Sequence, residues 1–238
     1  MMTPSGINLS PGMDTAVKVH VLRFDGFTGE IELEFDNQPL FWDPTKKLSI
    51  DGGKVPAGKD VMNFTIRAPA IKMPKICKLS IIGKSRINGR EIKRKVQGAD
   101  NIMQAFLWRH LVAASEMIAV INNRRFMVSP RLLNETPVHI PPGGNVEIKY
   151  AVKKLYAKRD RISSLKLIDP PEGLKLSSYN ITPAGVNLTL DYNGEEALSD
   201  NVVVEVLIKR GKKGNFLVSG GFLPCIPLKI GCTKENNM

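Results

Sequence analysis

Apolar and polar side chains alternate along much of this chain, and that alternation limits the possible folds more than any other feature. Val17, Val19 and Val21 fall on one side of an extended segment, whereas Lys18 and His20 fall on the other. A period of two is typical of a β-strand with one buried face. Similar runs recur with turn-forming residues between them every 8 to 12 residues or so. The pattern predicts an all-β chain made of antiparallel sandwiches.

One segment departs from this alternation. After Asp100, a plausible N-cap, apolar residues fall at helical spacing at Ile102, Met103, Phe106, Leu107 and Leu111. We therefore predict one short helix over about residues 100–111. Phe106, Leu107 and Trp108 are then expected to be buried at or near the junction between two domains.

The second half of the chain repeats the order of elements in the first half. The turn at Pro11-Gly12 and the strand after it return at Pro142-Gly143, and the strand at residues 61–66 returns at residues 186–190. Such a repeat indicates two copies of one structural unit. We predict two tandem immunoglobulin-like sandwiches, at residues 1–122 and 123–238, with a disordered tail at residues 233–238.

The chain carries an excess of positive charge, with a formal net charge of +11. This excess favours polyanionic partners, and both halves share it. Two basic clusters surround predicted hairpin turns. The first consists of Lys84, Arg86, Arg90, Lys93, Arg94 and Lys95, and the second of Lys209, Arg210, Lys212 and Lys213. They are candidate polyanion-binding residues, and a solvated hairpin whose charges discourage strand pairing is the alternative.

No motif predicts catalysis, a metal site or a cofactor. Residues 53–60 resemble a phosphate-binding loop, but Asp60 stands where Ser or Thr is needed, and strands flank the loop instead of a strand and a helix. His20, His110 and His139 are isolated from other ligand types at metal-binding spacing. Few aromatic residues accompany the basic clusters, so nucleic acid is not an expected partner. We predict that the protein is not an enzyme.

Cysteine usage and hydropathy leave the compartment open. Cys77, Cys225 and Cys232 match no zinc or redox motif, and buried or free thiols are favoured over a Cys225–Cys232 disulfide. No stretch has the length of apolar sequence that a membrane helix needs, so we expect no membrane insertion. The first residues do not read as an export signal, and an exported parent is expected to have been processed.

Three stretches carry a resemblance to a known group of proteins. They are residues 23–31, residues 56–58 and residues 98–111, the last containing Met103-Gln104-Ala105-Phe106-Leu107-Trp108-Arg109-His110-Leu111. In these stretches the chain resembles the C-terminal tandem β-sandwich repeats of large exported proteins from planctomycete-type bacteria, which are often described as similar to bacterial pre-peptidase C-terminal domains. The second half is similar at residues 169–174 and 183–185, and it departs at residues 158–161. The resemblance implies a secreted or surface-associated module without catalytic residues.

These observations together predict a non-catalytic structural or accessory interaction module of a larger exported or cell-surface protein. Its expected partners are the rest of that parent protein or cell-surface components, in an extracytoplasmic location. The alternative is a module that binds an acidic polysaccharide through the two basic hairpins.

Overall fold

The computed structural model describes residues 1–38, 43, 45–123, 130–151, 162–182, 184–210 and 216–231. The chain divides into two compact units, Met1–Met127 and Val128–Met238, which we call the first and the second sandwich. The boundary expected after residue 122 stays a prediction, because residues 124–129 lie outside the described residues. The tail at residues 233–238 also lies outside them.

The first sandwich consists of short strands. They are β1 (Met2–Thr3), β2 (Gly6–Leu9), β3 (Asp14–His20), β4 (Ile31–Asn37), β5 (Ser49–Asp51), β6 (Lys54–Val55), β7 (Val61–Arg67), β8 (Ile76–Ile87), β9 (Arg90–Lys95), β10 (Ala99–Met103), β11 (Arg109–Ala113) and β12 (Met117–Ile121). One sheet has the order β1-β3-β7-β5, with antiparallel pairs throughout. The other has the order β2-β12-β8-β4-β6, and β9 pairs with the far half of β8.

The core of the first sandwich lies between these two sheets. Val17 and Val19 of β3 are buried, and so are Phe64 and Ile66 of β7 and Ile81 of β8. The alternation read from the sequence is therefore confirmed in β3, since its apolar side chains face the core. Burial of these side chains is the main source of stability for such a layer, at about 1.5–3 kcal/mol for each large side chain.

The second sandwich is built in the same way. Its strands are β13 (Arg131–Leu132), β14 (Val138–Ile140), β15 (Asn145–Ala151), β16 (Ile162–Ile168), β17 (Leu174–Ile181), β18 (Gly185–Tyr192), β19 (Leu198–Arg210), β20 (Phe216–Phe222) and β21 (Ile226–Ile230). One sheet has the order β13-β15-β18-β17. In the other, β19 pairs with β16 and with β20 and β21, and β14 lies beside β21.

The second core contains Tyr150, Leu188, Leu190, Val202 and Ile226, all fully buried. The hydroxyl of Tyr150 donates a hydrogen bond to the Pro224 carbonyl at 2.9 Å, so the one polar atom of this large side chain is satisfied inside the core.

The two sandwiches have matching strand pairings. In the first, β12 runs antiparallel to β8 and parallel to β2. In the second, β21 runs antiparallel to β19 and parallel to β14. The turns at Gly12 and Gly143 also match, with φ of 75° and 63°, a conformation that favours glycine. The structure is thus two tandem immunoglobulin-like antiparallel sandwiches, as the sequence predicted.

The predicted helix is wrong. Residues 99–113 form the hairpin β10–β11, and the helical content is a single 3₁₀ turn at Ala105–Leu107. Asp100 does not cap a helix, because its carboxylate accepts hydrogen bonds from Ser5.

Two of the three cysteines, Cys77 and Cys225, lie within the described residues, and both are buried. Cys77 is a buried thiol, and burial raises its pKa above the usual value. Cys225 is buried as well. Cys232 lies outside the described residues.

Candidate interaction surfaces

The β10–β11 hairpin is an insertion between β9 and β12, two strands that pair with successive parts of β8. The backbone N–H of Val96 bonds the Ile81 carbonyl, and Met117 already pairs with Leu79. Residues 97–116 therefore leave the sheet and return to it opposite a single residue of β8, Ser80. We call β10, its turn and β11 the inserted hairpin.

The second sandwich shows what this position is like without the insertion. Phe222 of β20 pairs with Glu205, and Ile226 of β21 pairs with Val202. Residues 223–225 thus stand opposite residues 203 and 204, which is the arrangement of an ordinary β-bulge with one extra residue. The inserted hairpin occupies the equivalent position in the first sandwich, between the β8–β9 and β8–β12 pairings.

The base of the inserted hairpin is fixed to the N-terminal segment. The Asp100 carboxylate accepts hydrogen bonds from the Ser5 N–H at 3.0 Å and the Ser5 hydroxyl at 2.8 Å. These bonds lower the pKa of Asp100 below its usual value of 3.8. A Cβ added to Gly98 would lie 2.7 Å from the Met117 side chain and 3.1 Å from the Glu116 carbonyl, so the chain is tightly packed where it leaves the sheet.

The far end of the inserted hairpin is apolar and exposed. Phe106 is 92% exposed, Leu107 80% and Trp108 74%. We call these three residues the apolar tip. The Gln104 N–H closes the turn by donating to the Trp108 carbonyl at 2.7 Å. The expectation that Phe106, Leu107 and Trp108 are buried is therefore wrong, because it assumed a helix with one face packed inward.

The backbone of the apolar tip is strained as well. Phe106 has φ 62° and ψ 28°, and Leu107 has φ 66°. Bulky side chains disfavour this left-handed region by about 1–2 kcal/mol per residue, and Gly or Asn is the usual occupant. The β8–β9 hairpin of the same sandwich uses Asn88 and Gly89 at its positive φ positions. The inserted hairpin thus carries large apolar side chains at two positions where Asn and Gly would give less backbone strain.

Apolar residues continue down both faces of the inserted hairpin. The register places Ile102 and Val112 on one face and Met103 and Leu111 on the other, with Leu111 partly buried and the other three exposed. Arg109 and His110 lie directly behind the apolar tip. Residues 101–115 contain no carboxylate.

The first basic cluster is divided between the two faces of the β8–β9 hairpin. Lys84, Arg86, Lys93 and Lys95 fall on the same face as Glu91, whereas Arg90 and Arg94 fall on the other. Lys84 pairs with Glu34 at 2.5 Å, which raises the pKa of Lys84, and Lys93 pairs with Glu91 at 3.3 Å. A shallow groove on this face has as many acidic as basic side chains. Its lining is Glu30, Glu32, Lys54, Lys84, Ser85, Arg86 and Glu91.

The remaining cations of the first cluster differ from Lys84 and Lys93 in their ion pairing. Within the described ranges, Arg86, Arg90, Arg94 and Lys95 lie in no ion pair with a carboxylate. In the second cluster, Lys209 and Arg210 are exposed at the end of β19. Lys212 and Lys213 lie outside the described residues. Polyanion binding by these side chains stays a prediction.

The three isolated histidines lie on different strands, β3, β11 and β14. His20 lies near the Thr3 hydroxyl at 3.2 Å, and His110 and His139 are exposed on β11 and β14. Among the residues that the structure describes, no three His, Cys, Asp or Glu side chains come together as a metal site would require. In the same part of the chain, no helix is long and apolar enough to cross a membrane.

Comparison with known proteins adds little to this description. No protein-family model matches the chain, and no curated protein matches it. Among solved structures, domains 5–6 of the S-layer protein SbsC are similar over 98% of this chain and 97% of that chain, at 12% identity and a TM-score of 0.35. Segment Ig1–Ig2 of Dpr2, in complex with DIP-Theta, is similar over 95% and 94%, at 8% identity and a TM-score of 0.32.

A third similar structure is an endo-fucoidan hydrolase of glycoside hydrolase family 107. The similarity covers 97% of this chain and 28% of that one, at 8% identity and a TM-score of 0.27. The immunoglobulin-like description rests on the strand pairing within each sandwich and not on these similarities.

Sequence reasoning found the basic clusters but missed the apolar tip as a surface. The signal was present in residues 101–115, which combine a run of apolar side chains with the absence of carboxylates. These residues predict a buried helix, because a ribbon exposed on both faces has no period-two pattern to reveal it as a strand pair.

Proposed function

We propose that the chain is a non-catalytic accessory module of a larger exported or cell-surface protein, and that it attaches to a partner surface through the inserted hairpin. The observation that carries this proposal is the apolar tip. Phe106, Leu107 and Trp108 are largely exposed, Phe106 and Leu107 have a strained backbone, and the base of their hairpin is fixed by Asp100. Exposed apolar patches commonly mark interaction sites, and strain that does not serve packing is commonly found at functional positions.

The tandem arrangement supports the same reading. Repeated small sandwiches serve more often as spacers or binding modules than as enzymes, because catalysis needs one asymmetric set of groups in a cleft. The resemblance of residues 23–31, 56–58 and 98–111 to repeats of large exported bacterial proteins supports the extracytoplasmic location. The most specific part of this resemblance, residues 103–111, contains the apolar tip.

The test compares two variants that lose similar apolar side chains. One is Phe106→Asn with Leu107→Gly, which alters the apolar tip. The other is Phe216→Ser with Leu217→Ser, which removes exposed apolar side chains from β20 of the second sandwich. We expect the fluorescently labelled tip variant to associate with cell envelopes about a hundredfold more weakly than the original chain, and the β20 variant to keep its association. Equal association of all three chains would refute the proposal.

A second candidate function is binding of an acidic polysaccharide. It is favoured by Arg90, Arg94 and Lys95, which are exposed and have no ion pair within the described ranges. Exposed ion contacts are screened within about 8 Å at physiological ionic strength, so such binding must weaken steeply with salt.

Heparin provides a suitable probe for this second function. Neutralising Arg90 and Arg94 to Gln is expected to weaken binding and to flatten its salt dependence, since fewer contacts release fewer counterions. Lys78→Gln with Lys149→Gln is the matched control, because it also removes two exposed cations, each of which is already paired with a carboxylate. Binding that is absent, independent of salt, or equally affected by the control would exclude this function.

A further inference from the structure

We propose that the surface bound by the apolar tip is the interface of an anionic lipid bilayer, which the tip enters to a shallow depth. This inference rests on the proposed function and names the partner of the same hairpin. It follows from the shape of the hairpin, the order of side chains along it and its charge.

The shape fits an environment that surrounds the hairpin. Ile102 and Val112 are exposed on one face, and Met103 is exposed on the other. A flat protein surface can cover only one of these faces, whereas the interfacial region of a bilayer contacts an inserted loop on all sides. The free energy gained depends on the apolar area removed from water. Only the bilayer interface can remove the apolar area of both faces from water.

The order of side chains matches the depth profile of a membrane interface. Phe106 and Leu107 lie at the extreme end, Trp108 follows, and Arg109 and His110 come next along β11. Each strand residue adds about 3.4 Å, so the cations lie only a few ångströms behind the apolar tip. Tryptophan is enriched at the level of lipid headgroups, and Arg can extend its guanidinium to the phosphates.

The backbone limits how deep the hairpin goes. A two-stranded ribbon leaves N–H and C=O groups unpaired along its outer edges, and hydrocarbon cannot bond them. The turn closed by Gln104 and Trp108 can enter the boundary between headgroups and acyl chains, a depth of about 5–10 Å, while the strands stay among the headgroups.

The charge selects an anionic surface. Residues 101–115 carry Arg109 and no carboxylate, and Lys95, a cation without an ion pair in the described chain, ends β9 just before β10 begins. Each basic side chain near an anionic membrane contributes about 1 kcal/mol of attraction, which corresponds to roughly a fivefold increase in binding.

The sequence led us to expect no membrane insertion, because no apolar stretch is long enough to span a bilayer. Shallow insertion has a different requirement, which is a few large apolar side chains exposed at the end of a rigid support. The exposed tip on its Asp100–Ser5 base meets this requirement.

The experiment measures co-sedimentation of the full chain with vesicles of phosphatidylcholine alone and of phosphatidylcholine with phosphatidylglycerol. We expect binding to the anionic vesicles. The variant Phe106→Asn with Leu107→Gly should bind about a hundredfold more weakly, and Phe216→Ser with Leu217→Ser should bind like the original chain. Arg109→Gln should bind roughly fivefold more weakly. Absence of binding to anionic vesicles, or equal loss in the two double variants, would overturn the inference.

Fluorescence of Trp108 gives a second readout on an unaltered tip. In a Trp42→Phe background Trp108 is the single tryptophan. Its emission should shift to shorter wavelength on anionic vesicles, and lipids brominated on their acyl chains should quench it. Binding without any change in Trp108 emission would mean that charge alone attaches the chain, and it would contradict insertion.

The outcomes separate this inference from the proposed function. If the tip variant loses association with cell envelopes while the original chain does not bind vesicles, the proposed function stands and the partner is not lipid. If the tip variant associates with envelopes as well as the original chain does, the proposed function itself fails.

Discussion

Asp100 and Ser5 are far apart in sequence, and their contact fixes the inserted hairpin to the first sandwich. The Asp100 carboxylate accepts from both the N–H and the hydroxyl of Ser5, at 3.0 and 2.8 Å. The backbone adds to this base, since the Ser5 carbonyl accepts from Ile118 N–H and the Gly98 carbonyl accepts from Ala114 N–H. The direction in which the apolar tip points is therefore set by the N-terminal segment.

We predict that Asp100→Ala loosens the base of the inserted hairpin without unfolding the sandwich. The Ser5 N–H loses a charged acceptor, and the Ala114 N–H, which bonds the Gly98 carbonyl in the same base, becomes easier to open. Hydrogen exchange should be faster at these two amides, and the exchange of core strand β7 should not change. If hydrogen exchange became faster throughout the first sandwich, the Asp100–Ser5 contact would be shown to support the whole fold.

A turn of Asn and Gly should stabilise the inserted hairpin. Phe106→Asn with Leu107→Gly places residues that tolerate positive φ at both strained positions, which should favour the closed turn by about 1 kcal/mol. Hydrogen exchange at Gln104 N–H, which bonds the Trp108 carbonyl, should then slow roughly fivefold. Faster exchange at this amide would mean that the apolar side chains hold the turn together.

Much of the scaffold could be predicted from the sequence, because one buried face produces a period of two. Val17 and Val19 faced the core as expected, and the strands at residues 61–66 and 186–190 are equivalent in the two sandwiches as β7 and β18. Each inference depended only on neighbours in sequence or on the repeat itself.

The candidate site could not be predicted in the same way, because it depends on contacts between distant residues. Lys84 belonged to a basic cluster in sequence, but strand pairing brings it to Glu34. Asp100 could not be matched with Ser5 before the fold was known. The inserted hairpin has neither face buried along its outer half, so its apolar residues follow no strand periodicity and were assigned to a helix.

Replacing Tyr150 by Phe should weaken the second sandwich. The Pro224 carbonyl would lose its hydrogen bond inside the core, and an unsatisfied buried polar group costs about 1–3 kcal/mol. Tyr192→Phe is the matched control, since its hydroxyl bonds the Glu196 carbonyl at a partly buried site. Hydrogen exchange followed by mass spectrometry should show faster opening of second-sandwich peptides in the first variant, with first-sandwich peptides as reference. An equal or larger effect from Tyr192→Phe would contradict this ranking.

Acidification should destabilise the first sandwich through His20. Burial lowers the pKa of His20 below 6.5, and the Met1 ammonium and Lys18 lower it further. The unfolded chain therefore binds a proton more readily than the folded chain in the interval between the lowered pKa and 6.5. The stability contributed by the neutral imidazole is complete above pH 6.5 and is lost as the pH falls through the folded-state pKa.

Urea unfolding of the original chain and of His20→Gln measures this effect. Between pH values above 6.5 and about pH 5, the original chain should lose more stability than the variant does, since carboxylates titrate mostly below that interval. If the free energy of unfolding changed with pH in the same way for both chains, His20 would be shown not to contribute to the pH dependence.

Collisional quenching of Trp108 by acrylamide tests most directly the claim that the apolar tip is a presented surface. The full chain carries Trp42→Phe, so that Trp108 is the single fluorophore. With Trp108 at 74% exposure, we expect quenching close to that of an indole in an unfolded peptide. Quenching several-fold weaker in the folded chain, restored on unfolding, would show that Trp108 is packed against protein, and would contradict both the proposed attachment and its lipid partner.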